Sequence, residues 1–125
     1  MNTEQYFYRN VMFSKSGNQI SIIDIQNPEK NRQVLESWFG NIFLLADGQH
    51  SIDELTSYIS QQYKGSPPGN LKETITSVIQ RMTDSKLIVL AQDKVKLPYY
   101  LSMPYELLDI EKAKKLIEED QAKLN

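Results

Sequence analysis

Residues 33–48 read QVLESWFGNIFLLADG, and the apolar period changes within them. Residues 32–36 have the length and pattern of a short strand. From Ser37 onward the spacing is helical: Ser37 can cap a helix carrying Trp38, Phe39, Ile42, Phe43, Leu44 and Leu45. Those side chains surround the helix axis, so burial on most sides is expected. Asp47-Gly48 closes the helix, with Gly48 free to take a positive φ.

Upstream, residues 6–14 (YFYRNVMFS) are rich in aromatic and β-branched types and run into Ser16-Gly17-Asn18, a turn signal. Residues 19–26 (QISIIDIQ) place Ile20 and Ile22 in one phase and Ile23 and Ile25 in the other. Such a slip predicts a bulge or a strand apolar on both faces. Residues 27–31 read as a loop. Three strands with short connections predict an antiparallel meander.

Downstream, Ser51 and Glu54 have capping-box spacing and open a second helix with the stripe Ile52, Leu55, Ile59 and Tyr63. Residues 64–70 (KGSPPGN) are a loop. Asn70 and Glu73 repeat the capping spacing for a third helix striped by Leu71, Ile75, Val78, Ile79 and Met82. Residues 87–90 (LIVL), Gln92-Asp93-Lys94 and residues 95–97 predict a two-stranded wing. Pro98 and Pro104 bracket a tyrosine-rich connector, and a last helix is expected over 109–123 with Ile110, Ala113, Leu116 and Ile117 inward. The expected fold is α+β: a winged helix-turn-helix with an N-terminal three-stranded antiparallel meander, three helices, a short wing and an extra C-terminal helix.

The composition narrows the function classes. With 40% apolar and 24% charged residues, the chain has the make-up of an ordinary soluble globular protein. A net charge of −2 supplies no basic excess to drive phosphate binding, so nucleic acid is disfavoured as a partner. The absence of cysteine removes disulfides, thiolate zinc sites, cysteine-ligated clusters and cysteine nucleophiles together. The longest apolar stretch, 38–46, is too short to span a bilayer, and residues 1–10 lack a secretory pattern. A cytoplasmic location without membrane contact is expected.

The stretch 33–48 resembles the passage from the third strand to the aspartate–glycine turn of PqqD-like proteins, the pyrroloquinoline-quinone precursor-peptide chaperones. The wider group is the RiPP recognition elements, which bind leader peptides of ribosomally made, post-translationally modified natural products. The helix start HSIDEL after Asp47-Gly48 and the pattern Ile75, Val78, Ile79, Met82, followed by Leu87-Ile88, extend the likeness over residues 6–97. Lys86 departs from it, standing where the family usually has glycine, and residues 98–125 extend beyond the usual stand-alone member. The resemblance implies a peptide-recognition domain over 1–97, with 98–125 an extended connector and C-terminal helix. It implies leader capture as an added antiparallel strand beside Arg32, Gln33, Val34, Leu35 and Glu36, over a groove walled by Ile75, Val78, Ile79 and Met82. The implied partners are a precursor peptide and a tailoring enzyme such as a radical-SAM enzyme, cyclase or peptidase.

Edge-strand chemistry favours the same mode, because unpaired backbone N–H and C=O groups are a template for an extended peptide. Met82 would suit an adaptable pocket, and Arg32, Lys72 and Arg81 would serve as rim charges. The same helical stripe also reads as plain core, and the C-terminal segment is a candidate to cover the 32–36 strand. His50, the sole histidine, lies in the turn after Gly48 without a second metal-ligating neighbour. Ser37 and Ser51 read as helix caps, and Tyr99, Tyr100 and Tyr105 as residues packing the tail onto the domain. No catalytic, cofactor or metal constellation is found, and a non-enzymatic binding protein is expected. Two further readings fit the architecture: a winged-helix DNA-binding regulator using residues 72–86, and a scaffold subunit that docks a larger enzyme through its C-terminal helix.

Overall fold

The computed structural model describes residues 2–30 and 32–124, so Asn31 of the expected loop lies outside the described residues. In chain order the elements are β1 (Tyr6–Arg9), β2 (Phe13–Ser16), β3 (Gln19–Ile22), β4 (Gln33–Val34), α1 (Ser37–Leu44), β5 (Asp47–Ser51), α2 (Ile52–Gln61), α3 (Leu71–Asp84), β6 (Ile88–Ala91) and α4 (Ile110–Leu124). Short 3-10 turns at Tyr99–Leu101 and Tyr105–Leu107 precede α4. The architecture is α+β, with four α-helices and two antiparallel three-stranded sheets among the described residues. The chain divides into two interleaved units. One takes the residues up to Asn10 together with Asn41–Lys96; the other takes Val11–Gly40 and the residues from Leu97 onward.

In the first unit the strand order is β5-β1-β6. The 6–14 run is therefore not one strand, as its composition suggests. β1 is inserted between two strands from far along the chain, and β2 belongs to the other sheet. In β1 burial alternates, Phe7 and Arg9 inward, and the alternation stops before Met12 and Phe13, which are buried consecutively. Arg9 anchors the end of β1, its Nη1 donating to the Leu44 carbonyl at 2.9 Å and its amide to the Ala46 carbonyl at 2.9 Å. Burial lowers the Arg9 pKa, against the opposing charge of Asp47.

The sequence marks Asp47-Gly48 as a helix stop; the structure continues it into a strand. Pairing of β5 with β1 is irregular between Tyr6 and Tyr8, and Gly48 sits in the irregularity at φ 78°. Glycine is required there twice over, because a Cβ would also collide with the Val95 carbonyl. The expected hairpin wing does not form. β6 pairs in full register with β1, Phe7 facing Leu90 and Arg9 facing Ile88, while the returning Val95 donates its amide to the Gly48 carbonyl at 2.9 Å.

α2 starts with the capping box read from sequence: Ser51 Oγ accepts the Glu54 amide at 3.1 Å, and Glu54 Oε1 accepts the Ser51 amide at 3.0 Å. Those bonds, the Ser51 amide first, hold the Glu54 carboxyl below its usual pKa. α3 ends in a Schellman arrangement, the Leu87 amide donating to the Met82 carbonyl at 2.9 Å and the Lys86 amide to that of Thr83 at 3.0 Å. Lys86 itself has φ 64°, the conformation normally left to glycine.

In the second unit β2, β3 and β4 form the expected antiparallel meander, begun at Phe13 instead of Tyr6. Ser16 pairs with Gln19 across a two-residue turn in which Gly17 takes φ 60°. The phase slip in 19–26 marks the end of β3. Ile20 is buried within the strand, whereas Ile23 and Ile25 join Met12, Leu101, Leu108 and Ala113 in a separate cluster. Tyr99, Tyr100 and Tyr105 pack against that cluster, as the sequence suggests for them. The Tyr99 hydroxyl accepts the Asp109 amide at 2.8 Å, and the Tyr100 hydroxyl donates to Asp120 at 2.7 Å. Of the six buried residues in that cluster, Leu101, Leu108 and Ala113 come from the C-terminal segment, and Met12, Ile23 and Ile25 come from 11–40.

Candidate peptide-docking edge

β4 is the terminal strand of its sheet, paired on one side with β3. Its register decides which backbone groups face outward. Ile22 is opposite Gln33 and Ser21 opposite Val34, and the Leu35 amide donates to the Ile20 carbonyl at 2.9 Å. In an antiparallel ladder hydrogen-bonded pairs alternate with non-bonded ones, so Gln33 and Leu35 spend their backbone groups on β3. The N–H and C=O of Val34 therefore point away from the sheet. The Val34 side chain is 54% exposed and Leu35 is buried. Glu36 is exposed, and its carbonyl accepts the Gly40 amide at 2.8 Å, which ends the template where α1 begins. Ser37 is consequently the first residue of α1, not the cap before it.

Arg32 is not a waiting rim charge. Its Nε donates to the Pro28 carbonyl at 2.7 Å, Nη2 meets Glu29 at 3.2 Å and Nη1 donates to Ser14 Oγ at 3.3 Å. The guanidinium ties the incoming loop to its own sheet and fixes where β4 starts.

The opposite edge of this sheet, at β2, is occupied. Glu106 Oε2 accepts the Ser14 hydroxyl at 2.5 Å and Oε1 accepts the Lys15 amide at 3.0 Å, the position another strand would take. Burial pushes the Glu106 carboxyl up, but the bonds from Ser14 and Lys15, with the charge of Arg32, outweigh it and hold the pKa below its usual value. No sequence signal pointed to Ser14 or Glu106. They are 92 positions apart, and neither sits in a motif. The C-terminal segment thus lays its carboxylate on β2, not on β4.

No family model, curated protein or solved structure matches the chain.

The residues expected to wall the groove lie in the other unit from β4. Ile75, Val78, Ile79 and Met82 are all buried along the inner face of α3, which packs against α2 and β6. They are brought together with one another, as core. Lys72 has its ammonium 3.7 Å from Asp53, and Arg81 is exposed in the last turn of α3. His50 lies in β5 with Nδ1 3.3 Å from Asp47 Oδ1, beside a 250 Å³ cavity floored by Phe7 and Leu55. Among the described residues no group of histidine and carboxylates is placed to hold a metal ion, and no helix is long and apolar enough to cross a membrane.

Proposed function

We propose that this protein is a non-enzymatic peptide-binding module that captures the leader of a ribosomally made precursor peptide and presents it to a separate modifying enzyme. The leader adds as an antiparallel strand beside β4. The observation that carries this reading is the asymmetry of the second sheet: one edge is sealed by Glu106, while the other offers the outward backbone groups and exposed side chain of Val34. Backbone pairing supplies affinity with little demand on sequence, which suits a protein that must hold an extended segment. Holding the leader raises the effective concentration of the attached core peptide at a radical-SAM enzyme, cyclase or peptidase. The likeness of residues 33–48 to the RiPP recognition elements supports the same role. In this reading α2 and α3 with β5 and β6 are the winged-helix part of the protein, and it works in the cytoplasm.

Val34→Pro tests the proposal, because it deletes a donor that the fold itself does not use. Proline is tolerated on an edge strand whose N–H faces solvent, and it restricts Gln33 to the extended region that Gln33 already occupies. A peptide selected on the full chain from a displayed dodecapeptide library should bind Val34→Pro about 10-fold more weakly, from one lost hydrogen bond and the ring's bulk. The urea midpoint should be unchanged. Equal affinity measured by calorimetry would remove strand addition at β4 from consideration.

A further inference from the structure

Resting on the strand-addition reading, we infer that the preferred peptide carries a basic residue two positions before an apolar β-branched or aromatic one. The period of a strand places Arg32, Val34 and Glu36 on one face. A visiting residue that exchanges both backbone bonds with Val34 is directly opposite it, and directly opposite residues share a face. That residue meets an apolar side chain left 54% exposed, so an apolar partner is favoured. In antiparallel register the residue two before it faces Glu36, and the residue two after it faces Arg32.

The two flanks are not equivalent. Arg32 is held by Pro28, Glu29 and Ser14, so its charge is answered within its own unit. Glu36 is exposed, and its carboxylate has no hydrogen bond or ion pair among the described residues. The unanswered charge is therefore negative and lies on the side of the peptide's N-terminus. A second copy of this chain fits less well. Antiparallel self-pairing about Val34 sets Glu36 against the Arg32 of the other copy, whose guanidinium is already tied.

Four synthetic dodecapeptides on one serine–threonine frame separate the possibilities: Lys-x-Val, Glu-x-Val, Val-x-Lys and Lys-x-Asp. Each is titrated into the full chain, following the Val34 amide by NMR. Lys-x-Val should bind tightest, ahead of Glu-x-Val and Lys-x-Asp by about two- to five-fold each, the range of a cross-strand pair. Glu36→Lys should invert the first preference. Equal binding of Lys-x-Val and Glu-x-Val overturns the inference and leaves strand addition intact. Tightest binding by Val-x-Lys overturns the antiparallel register. No shift of the Val34 amide with any peptide overturns both the inference and the proposed function. A shift that tracks protein concentration without peptide assigns the edge to self-association and overturns the peptide as its occupant.

Discussion

Lys86 pays a conformational cost that its neighbours make unavoidable. At φ 64° its Cβ crowds the following carbonyl, a strain of about 1–2 kcal/mol in an L-residue. Yet the two capping bonds, Leu87 to Met82 and Lys86 to Thr83, need that geometry to turn the chain from α3 into β6. Glycine would adopt it without strain, at an added unfolded-state entropy of roughly 0.5–1 kcal/mol. Lys86→Gly is therefore expected to stabilise the protein by about 0.5–1 kcal/mol, read as a raised urea midpoint at constant slope. A lowered midpoint would mean that the lysine side chain makes a contribution larger than its backbone strain.

The two capping signals show what sequence makes legible at the level of elements. Ser51-x-x-Glu54 and Asn70-x-x-Glu73 have the same spacing, and only the first forms its bonds. Ser51 has the extended backbone of a cap at φ −80°, ψ 166°, whereas Asn70 sits at φ −101°, ψ 19° and makes no side-chain capping bond. Ser51→Ala should cost about 1 kcal/mol and Asn70→Ala only a few tenths by chemical denaturation; equal costs would contradict this assignment. Helices were readable because their patterns are local, and α2, α3 and α4 fall close to where their stripes place them. Strand partners were not, since pairing is settled by distant residues. The 6–14 run is cut between two sheets, and the 87–97 wing gives way to pairing of β6 with β1. The candidate edge was read as a strand over 32–36, of which the structure forms only the two residues Gln33–Val34 as β4. Its decisive features, the outward Val34 and the internally tied Arg32, follow from register and a long-range contact that no local pattern carries.

Across the whole chain, the family resemblance implies a boundary at 97, and the segment that follows clusters with residues 11–40 in one compact unit. Leu101, Leu108 and Ala113 complete a cluster with Met12, Ile23 and Ile25, and Glu106 seals β2. Tyr100 adds a pH-sensitive clasp: burial first, then its bond to Asp120 and that residue's charge, push its hydroxyl up to about 12. A raised pKa means that the clasp is fully present below the ordinary value of 10.0 and is lost as pH rises through about 12. Tyr100→Phe should flatten the loss of stability between those limits, measured by urea titration at each pH. Removing residues 98–125 is the more drastic test. It strips the apolar cluster of half its members and frees the β2 edge, so the amides of β2, β3 and β4 should lose most of their hydrogen-exchange protection. Amides of β1 and β6, paired within the other unit, provide the reference in the same spectrum. In the proposed mode a peptide adds to β4 only while β3 holds it in register, so the truncated chain should also lose the Val34 amide response to Lys-x-Val. Retained protection in β3 would show that the meander stands without the tail and that residues 1–97 are sufficient for the docking edge.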